Sequence, residues 1–168
     1  LTKFTQEELQ EMMETYQNQS ASFDAVLKGK PLPDFVFKDI LGNTYTPEDI
    51  KGKVVVINLW FISCAPCIEE MPELNKLVKE YENNDAVLFL ALALDEKGPR
   101  LNTFLETHVF NYNIVPDSQD YIIKKLQINS FPTHIVLDKN SNVVFTLAGF
   151  TPGVGELIKS SINSFLDK

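Results

Sequence analysis

The chain of 168 residues is poor in cysteine and histidine, with only Cys64, Cys67, His108 and His134. One cysteine pair is too few for a disulfide-dense scaffold, and a chain of this length buries about 70% of its unfolded surface without such bridges. A structural zinc site needs four nitrogen or sulfur ligands, and the two histidines lie on separate predicted elements. Covalent haem attachment needs a histidine directly after the second cysteine, where Ile68 stands. We therefore expect no metal and no other cofactor.

Positive charge is also scarce, because 15 lysines and arginines face 23 acidic residues for a net charge of −8. The basic residues form no stripe, which excludes a nucleic-acid role and a surface for anionic membranes. No apolar run reaches the roughly 18 residues that a membrane-spanning helix requires. The chain begins at Leu1 instead of Met, which leaves room for a signal peptide or lipid anchor upstream.

Apolar periodicity and turn residues predict an α/β fold with a central mixed sheet flanked by helices. Residues 1–30 are predicted to be a helical extension, with helices at 5–18 and 21–28, and residues 31–168 are predicted to be the main domain. A hairpin is expected from strands at 35–37 and 44–46. The remaining strands are expected at 54–61, 86–94, 112–115, 133–138 and 142–149, and the remaining helices at 65–82, 99–108, 118–126 and 151–166.

The cysteine pair lies where an apolar strand passes into a helix. The unpaired N–H groups and the positive dipole end at a helix N-terminus favour a thiolate at Cys64. Pro66 suits the first turn, where its missing N–H is not needed. Because no basic residue flanks Cys64 in the sequence, we expect a modestly stabilised thiolate and a reductase instead of a strong oxidant. The alternative is an inert pair of small apolar residues at a strand end.

The stretch WFISCAPCIEEMP at 60–72, together with Phe131-Pro132-Thr133, resembles the active site of the thioredoxin superfamily. The similarity is greatest to its extracytoplasmic branch of TlpA- and ResA-like thiol-disulfide oxidoreductases. It covers about residues 31–168 and includes Trp60, Pro72 and Pro132, the last as a cis-proline beside the disulfide. The resemblance implies a thioredoxin-like fold with an N-terminal hairpin and a central helix-strand insertion at about 99–115.

The resemblance also implies roles for individual residues. Cys64 would attack a partner disulfide, and Cys67 would resolve the mixed disulfide. Glu70 occupies the position of a glutamate implicated in proton exchange in this branch, although it also suits a first helical turn. Asn58 replaces the buried aspartate of thioredoxin, and Ser63 replaces the usual tryptophan. Contacts with the substrate are expected from Trp60, Ala65, Pro66, Phe131, Pro132 and Thr133.

The resemblance implies disulfide-containing protein substrates, a membrane thiol-disulfide reductant, and a location in the bacterial periplasm or on a membrane facing it. Three alternatives remain at this point. A peroxiredoxin-like peroxidase would carry Thr three residues before its nucleophile, where this chain has Phe61. A copper chaperone of related fold would need a wider cysteine pair and a histidine. A thioredoxin-like binding module could dock a larger protein through residues 1–30.

Overall fold

A computed structural model describes residues 4–168, except for the side chains of residues 16–25. A mixed sheet of long, buried strands lies at the centre, and a short antiparallel hairpin stands apart from it. The strands are β1 (Phe37–Lys38), β2 (Thr44–Tyr45), β3 (Val54–Trp60), β4 (Val87–Ala93), β5 (Asn113–Val115), β6 (Thr133–Leu137) and β7 (Val143–Ala148). The helices are α1 (Gln6–Leu27), α2 (Ala65–Glu80), α3 (Pro99–Thr107) and α4 (Val154–Leu166).

The central sheet has the strand order β5-β4-β3-β6-β7. β4 is parallel to β3 and β5, whereas β6 is antiparallel to β3 and β7. β3 is buried along its whole length, which explains its continuous apolar sequence. The mixed sheet and the hairpin predicted from the sequence are confirmed, and the α2 N-terminus follows directly on the end of the central strand.

Alternate residues of β3 face two separate apolar layers. Val54, Val56 and Trp60 pack with α2, α3 and α4, while Val55 and Ile57 pack with the hairpin side of the molecule. No helix of the described residues is long and apolar enough to cross a bilayer. Asn58 is a polar residue on the α2 side of this strand, and it is almost wholly buried.

The N-terminal segment is one continuous helix, α1, and the prediction of two separate helices was wrong. The sequence contains neither Gly nor Pro between residues 4 and 28, so nothing interrupts the helical hydrogen bonds. Thr5 and Glu8 form the expected capping box. Beyond the helix, the Gly29 N–H donates to the Val143 carbonyl and the Val143 N–H donates to the Lys30 carbonyl. The domain boundary at residue 30 stays a prediction.

The helix expected at 118–126 is present at 119–125, and its main part is a π-helical turn at Tyr121–Lys125. The Leu126 N–H donates to the Tyr121 carbonyl, five residues back, and Gln127 ends the turn in the left-handed conformation. The Tyr121 hydroxyl donates to the Pro33 carbonyl at 2.7 Å. The turn is thereby joined to the entry segment of the main domain.

The hairpin β1–β2 is organised by one buried carboxylate, that of Asp39. It accepts hydrogen bonds from the backbone N–H groups of Leu41 and Asn43 and from the side chains of Asn43 and Tyr45. Burial raises the pKa of Asp39, but the hydrogen bonds outweigh that effect and the net pKa is lowered. The hairpin therefore depends on an ionised aspartate.

Candidate active site

Cys64 and Cys67 form a disulfide at the N-terminus of α2. Cys64 is the N-cap residue with an extended backbone, and the Cys67 N–H lies 3.3 Å from the Cys64 sulfur, to which it donates. Pro66 stands in the first turn, where it removes no helical hydrogen bond. When the disulfide is reduced, this backbone donor and the helix dipole favour negative charge on the Cys64 sulfur.

The loop between β3 and α2 is held in place from the neighbouring strand. The Ile62 N–H donates to the Asp95 carboxylate at 2.8 Å, and the Leu94 N–H donates to the Trp60 carbonyl at 3.0 Å. The Cys64 N–H donates to the Phe61 carbonyl. These bonds fix the path of the chain immediately before the disulfide.

The Phe131–Pro132 peptide bond is cis, and this loop leads into β6. The Gly149 N–H donates to the Pro132 carbonyl at 2.7 Å. The backbone of Thr133 lies between Leu59 of β3 and Ala148 of β7, so it is not open to a further strand. The substrate contact expected from Thr133 therefore cannot be a strand pairing with its backbone.

Phe131 is the residue of this loop that offers a polar backbone to a partner. Among the described residues, none forms a backbone hydrogen bond with it. Its half-buried ring meets the ring of Phe61 edge to face at 5.5 Å between centroids. Ala65 is exposed and Pro66 half-buried on the α2 side, while Phe150 exposes 41% of its surface next to Gly149. Phe61 and Phe131 pack against the same core cluster as Cys64 and Cys67, so apolar surface adjoins the disulfide.

Trp60 does not belong to that surface, because its side chain is fully buried. The indole packs against Phe104 and Phe110, with ring centroids 5.6 and 5.4 Å away. The prediction of a substrate contact for Trp60 is therefore corrected. Its ring belongs to the apolar core cluster that also contains Cys64 and Cys67.

A buried polar cluster lies behind the disulfide, formed by Asn58 of β3, Glu70 of α2 and His134 of β6. Glu70 and His134 have no exposed side-chain surface, and Nε2 of His134 lies 2.7 Å from Oε1 of Glu70. The Asn58 amide nitrogen lies 3.4 Å from the same Oε1 and 3.3 Å from Nδ1 of His134. The Nε2–Oε1 contact is close but poorly aligned for a hydrogen bond. Sequence reasoning found Glu70 and Asn58 but missed His134.

Two further ionisable groups adjoin this cluster. Burial raises the pKa of Tyr112 well above its usual value, and the charge of Glu70 raises it further. Burial also raises the pKa of Glu73, the Gly155 N–H opposes that effect, and the charge of Glu70 adds to it. The cluster is thus poorly solvated, and further negative charge near Glu70 is disfavoured.

A cation also lies beside the first cysteine, although the sequence around Cys64 contains none. Arg100, in the first turn of α3, donates from its guanidinium to the Ser63 hydroxyl at 3.2 Å. Both side chains are exposed. No basic residue flanks Cys64 in the sequence. In the structure, however, the turn after β4 places Arg100 beside Ser63, the residue that precedes Cys64.

Metal ligands do not gather in the part of the chain that the structure describes. Its His, Cys, Asp and Glu side chains form no group of three or more that could hold a metal ion.

Comparison with known proteins agrees with this geometry. The model of the AhpC/TSA family matches residues 28–146. The thiol-disulfide oxidoreductase ResA of a Bacillus cereus strain is 30% identical over 153 residues, which are 91% of this chain and 84% of that protein. ResA of Geobacillus kaustophilus is 33% identical over 134 residues, 80% and 76% of the two chains.

Solved structures extend the comparison to the fold. A candidate thiol:disulfide interchange protein DsbE from Chlorobium tepidum superimposes with a TM-score of 0.73 at 25% identity, covering 83% of this chain and 97% of that one. The expected thioredoxin-like fold is confirmed.

Proposed function

The chain belongs to the AhpC/TSA family and is a thiol-disulfide oxidoreductase similar to ResA, and from that premise we propose that it reduces disulfides of partner proteins outside the cytosol. The observation that carries the proposal is the Cys64–Cys67 disulfide at the α2 N-terminus, with the Cys67 N–H directed at the Cys64 sulfur. The extracytoplasmic location and a membrane-bound reductant that regenerates the dithiol are supported by family resemblance.

The reaction proceeds in two exchanges. The Cys64 thiolate attacks one sulfur of the partner disulfide, and the other partner sulfur leaves as a thiolate. Cys67 then loses its proton to Glu70 and attacks the Cys64 sulfur, which releases the second partner thiolate. Two electrons pass from the enzyme dithiol to the partner, and the enzyme ends with the Cys64–Cys67 disulfide.

Glu70 is the base for the second exchange. It lies one turn after Cys67 on the same buried face of α2, and long helical side chains lean toward the helix N-terminus. Its Oε2 has no hydrogen-bond partner among the described residues. That oxygen is therefore available for the Cys67 proton in a region that solvent bases do not reach.

The partner binds as an extended segment along the Phe131 backbone. A short strand can pair there because the backbone groups of this residue have no partner in the described structure. The rings of Phe61 and Phe131 and the exposed Phe150 provide an apolar surface for partner side chains. Phe61 also stands where a peroxidase of the peroxiredoxin type carries Thr, which argues against that alternative.

Trapping of a mixed disulfide tests the proposal. Cys67→Ser should accumulate a covalent adduct through Cys64 when the reduced protein meets an unfolded, disulfide-containing protein, because the resolving thiol is gone. Cys64→Ser is the matched control, because it lacks the attacking thiol and keeps only Cys67, which is 2% exposed against 4% for Cys64. Equal adduct formation by both variants, or none by either, would contradict the assigned order of attack. If the binding-module alternative applied, a variant lacking both cysteines would still bind the same partners.

The direction of the reaction is tested by the reduction potential. Equilibration in graded thiol buffers with counting of free thiols should give a value near or below about −250 mV, as for reductants such as thioredoxin. A value near −120 mV would make the protein an oxidant.

A further inference from the structure

The buried histidine behind the disulfide has no role in the two exchanges described above. His134 is wholly buried on β6, and its register partner across β3 is Asn58. A buried ring with two polar nitrogens is costly unless both nitrogens are satisfied. The position of His134 therefore calls for a physical reason beyond the packing of an apolar strand.

The contacts of His134 indicate which nitrogen carries its proton. Nδ1 faces the Asn58 amide nitrogen at 3.3 Å, and an amide nitrogen only donates, so Nδ1 acts as an acceptor. Nε2 lies 2.7 Å from Oε1 of Glu70, in a contact that is poorly aligned for a hydrogen bond but too short for two facing lone pairs, which favours hydrogen on Nε2. The neutral ring with hydrogen on Nε2 is the tautomer compatible with both contacts, and a small rotation would align Nε2 with Oε1.

We propose that His134 is the positioning residue for the base, holding Oε1 of Glu70 so that Oε2 faces the Cys67 thiol. This inference rests on the proposed function and assigns to it a residue outside the cysteine motif. His134 does not contact the reacting sulfurs and acts through Glu70. Asn58 in turn fixes the ring through Nδ1, so a chain of three side chains from β6, β3 and α2 determines where the base points.

The proton balance of the assisted step is simple. The Cys67 S–H bond breaks, its proton moves to Oε2, and the new thiolate bonds to the Cys64 sulfur. The bond between Cys64 and the partner breaks, and its electron pair leaves with the partner sulfur. Glu70 is then neutral while the Nε2 proton of His134 still faces Oε1, so no buried positive charge is created.

Other ionisable groups adjoin Glu70 and are part of the same balance. They are Cys67 and Glu73 on α2, Tyr112 before β5, and Glu156 of α4, which acts on Glu73. Burial raises the pKa of Tyr112, so its hydroxyl stays neutral in the range where thiols titrate. Tyr112 therefore does not supply a further negative charge to this region in that range.

The experiment separates the two exchanges by using an aromatic disulfide whose thiol is coloured. Reduced enzyme releases one coloured thiol when Cys64 attacks and a second when Cys67 resolves the adduct. His134→Phe removes the donor at Nε2 but keeps a ring, His134→Gln keeps a donor near that place, and His108→Gln is the control. His108 stacks on Phe104 and bonds to Thr107 on the surface helix α3.

We expect His134→Phe to slow the second release at least tenfold and to change its pH profile while leaving the first release within twofold. His134→Gln should recover most of the rate, and His108→Gln should match the wild type. A second release in His134→Phe with the wild-type rate and pH profile would overturn the inference and leave the proposed function intact. Absence of a two-phase release in the wild type would overturn both.

A measurement on the unaltered protein covers the case in which His134→Phe does not fold. Nitrogen chemical shifts of labelled histidine distinguish the two neutral tautomers, and His108→Gln identifies the signals of His134. Hydrogen on Nε2 in the oxidised protein is the expected result. Hydrogen on Nδ1 would place a lone pair against the Glu70 carboxylate and would overturn the inference.

Discussion

Introducing a second carboxylate beside Glu70 tests whether the buried cluster excludes water and whether its side chains lie as close together as the structure shows. Asn58→Asp keeps the size of the side chain but replaces the amide nitrogen, 3.4 Å from Oε1 of Glu70, with an oxygen of like charge. The other neighbour of that nitrogen is Nδ1 of His134, at 3.3 Å. The folded variant can avoid the repulsion only by keeping one additional proton on this group of three side chains.

The distance sets the size of the effect. Two unit charges 3.4 Å apart repel by about 5 kcal/mol at an effective dielectric constant of about 20. The folded variant then binds about one proton more than its unfolded chain above about pH 4, where a free carboxyl titrates. Because the folded state holds more protons, the free energy of unfolding falls as pH rises, by about 1.4 kcal/mol per pH unit relative to the wild type.

Urea unfolding of the oxidised protein at intervals from about pH 4.5 to about pH 8 measures this difference. Asn102→Asp on the exposed face of α3 adds the same charge at the surface and should leave the pH dependence unchanged. Asn58→Asp combined with Glu70→Gln removes one of the two carboxylates and should abolish most of the additional slope. If the free energy of unfolding of Asn58→Asp instead changes with pH just as that of the wild type does, the reasoning about a close, water-poor cluster is refuted.

Two further predictions concern the hairpin and the cation near Cys64. Hydrogen bonds lower the pKa of Asp39 against the effect of burial, so its contribution to stability is present above about pH 4 and is lost as pH falls below that value. Asp39→Asn should therefore be less stable than the wild type at about pH 7 by about 1–2 kcal/mol in urea unfolding, and the difference should shrink toward about pH 2.5. Arg100→Gln should slow alkylation of Cys64 about two- to fivefold at low salt, since an exposed charge stabilises a nearby thiolate only modestly, and the difference should vanish in about 1 M salt. An undiminished effect in high salt would show that the guanidinium acts by a contact and not by its charge.

The sheet and its helices were predictable because their apolar runs are long. β3 and β4 carry seven buried or half-buried residues each, and such runs indicate strands covered on both faces. The α1 prediction failed because it separated two helices between residues 18 and 21, where the sequence contains no residue that breaks a helix. The helix at 119–125 was predicted but its π-helical type was not, because apolar spacing does not reveal hydrogen bonds that span five residues.

The site was predictable only where its residues lie in one motif. Cys64, Cys67 and Glu70 lie within two turns at the start of α2 and can be related by spacing alone. His134 meets Glu70 because β6 pairs antiparallel with β3 in one register, and a single sequence does not specify that register. Arg100 reaches Ser63 across 37 positions of chain, so its contact depends on the turn after β4. A lone histidine before an apolar strand is more often a packed core residue, which is why its role was not predicted.

The pairing of Gly29 and Lys30 with Val143 has a consequence for how the molecule meets its neighbours. β7 is the last strand of the sheet, and an uncovered last strand is a template for unwanted association with another chain. The segment that follows α1 forms backbone hydrogen bonds with Val143, the first residue of β7, and α1 itself packs along β7. The N-terminal region thus protects β7 from edge-to-edge aggregation. A chain trimmed at residue 30 would expose the unpaired backbone groups of that edge strand.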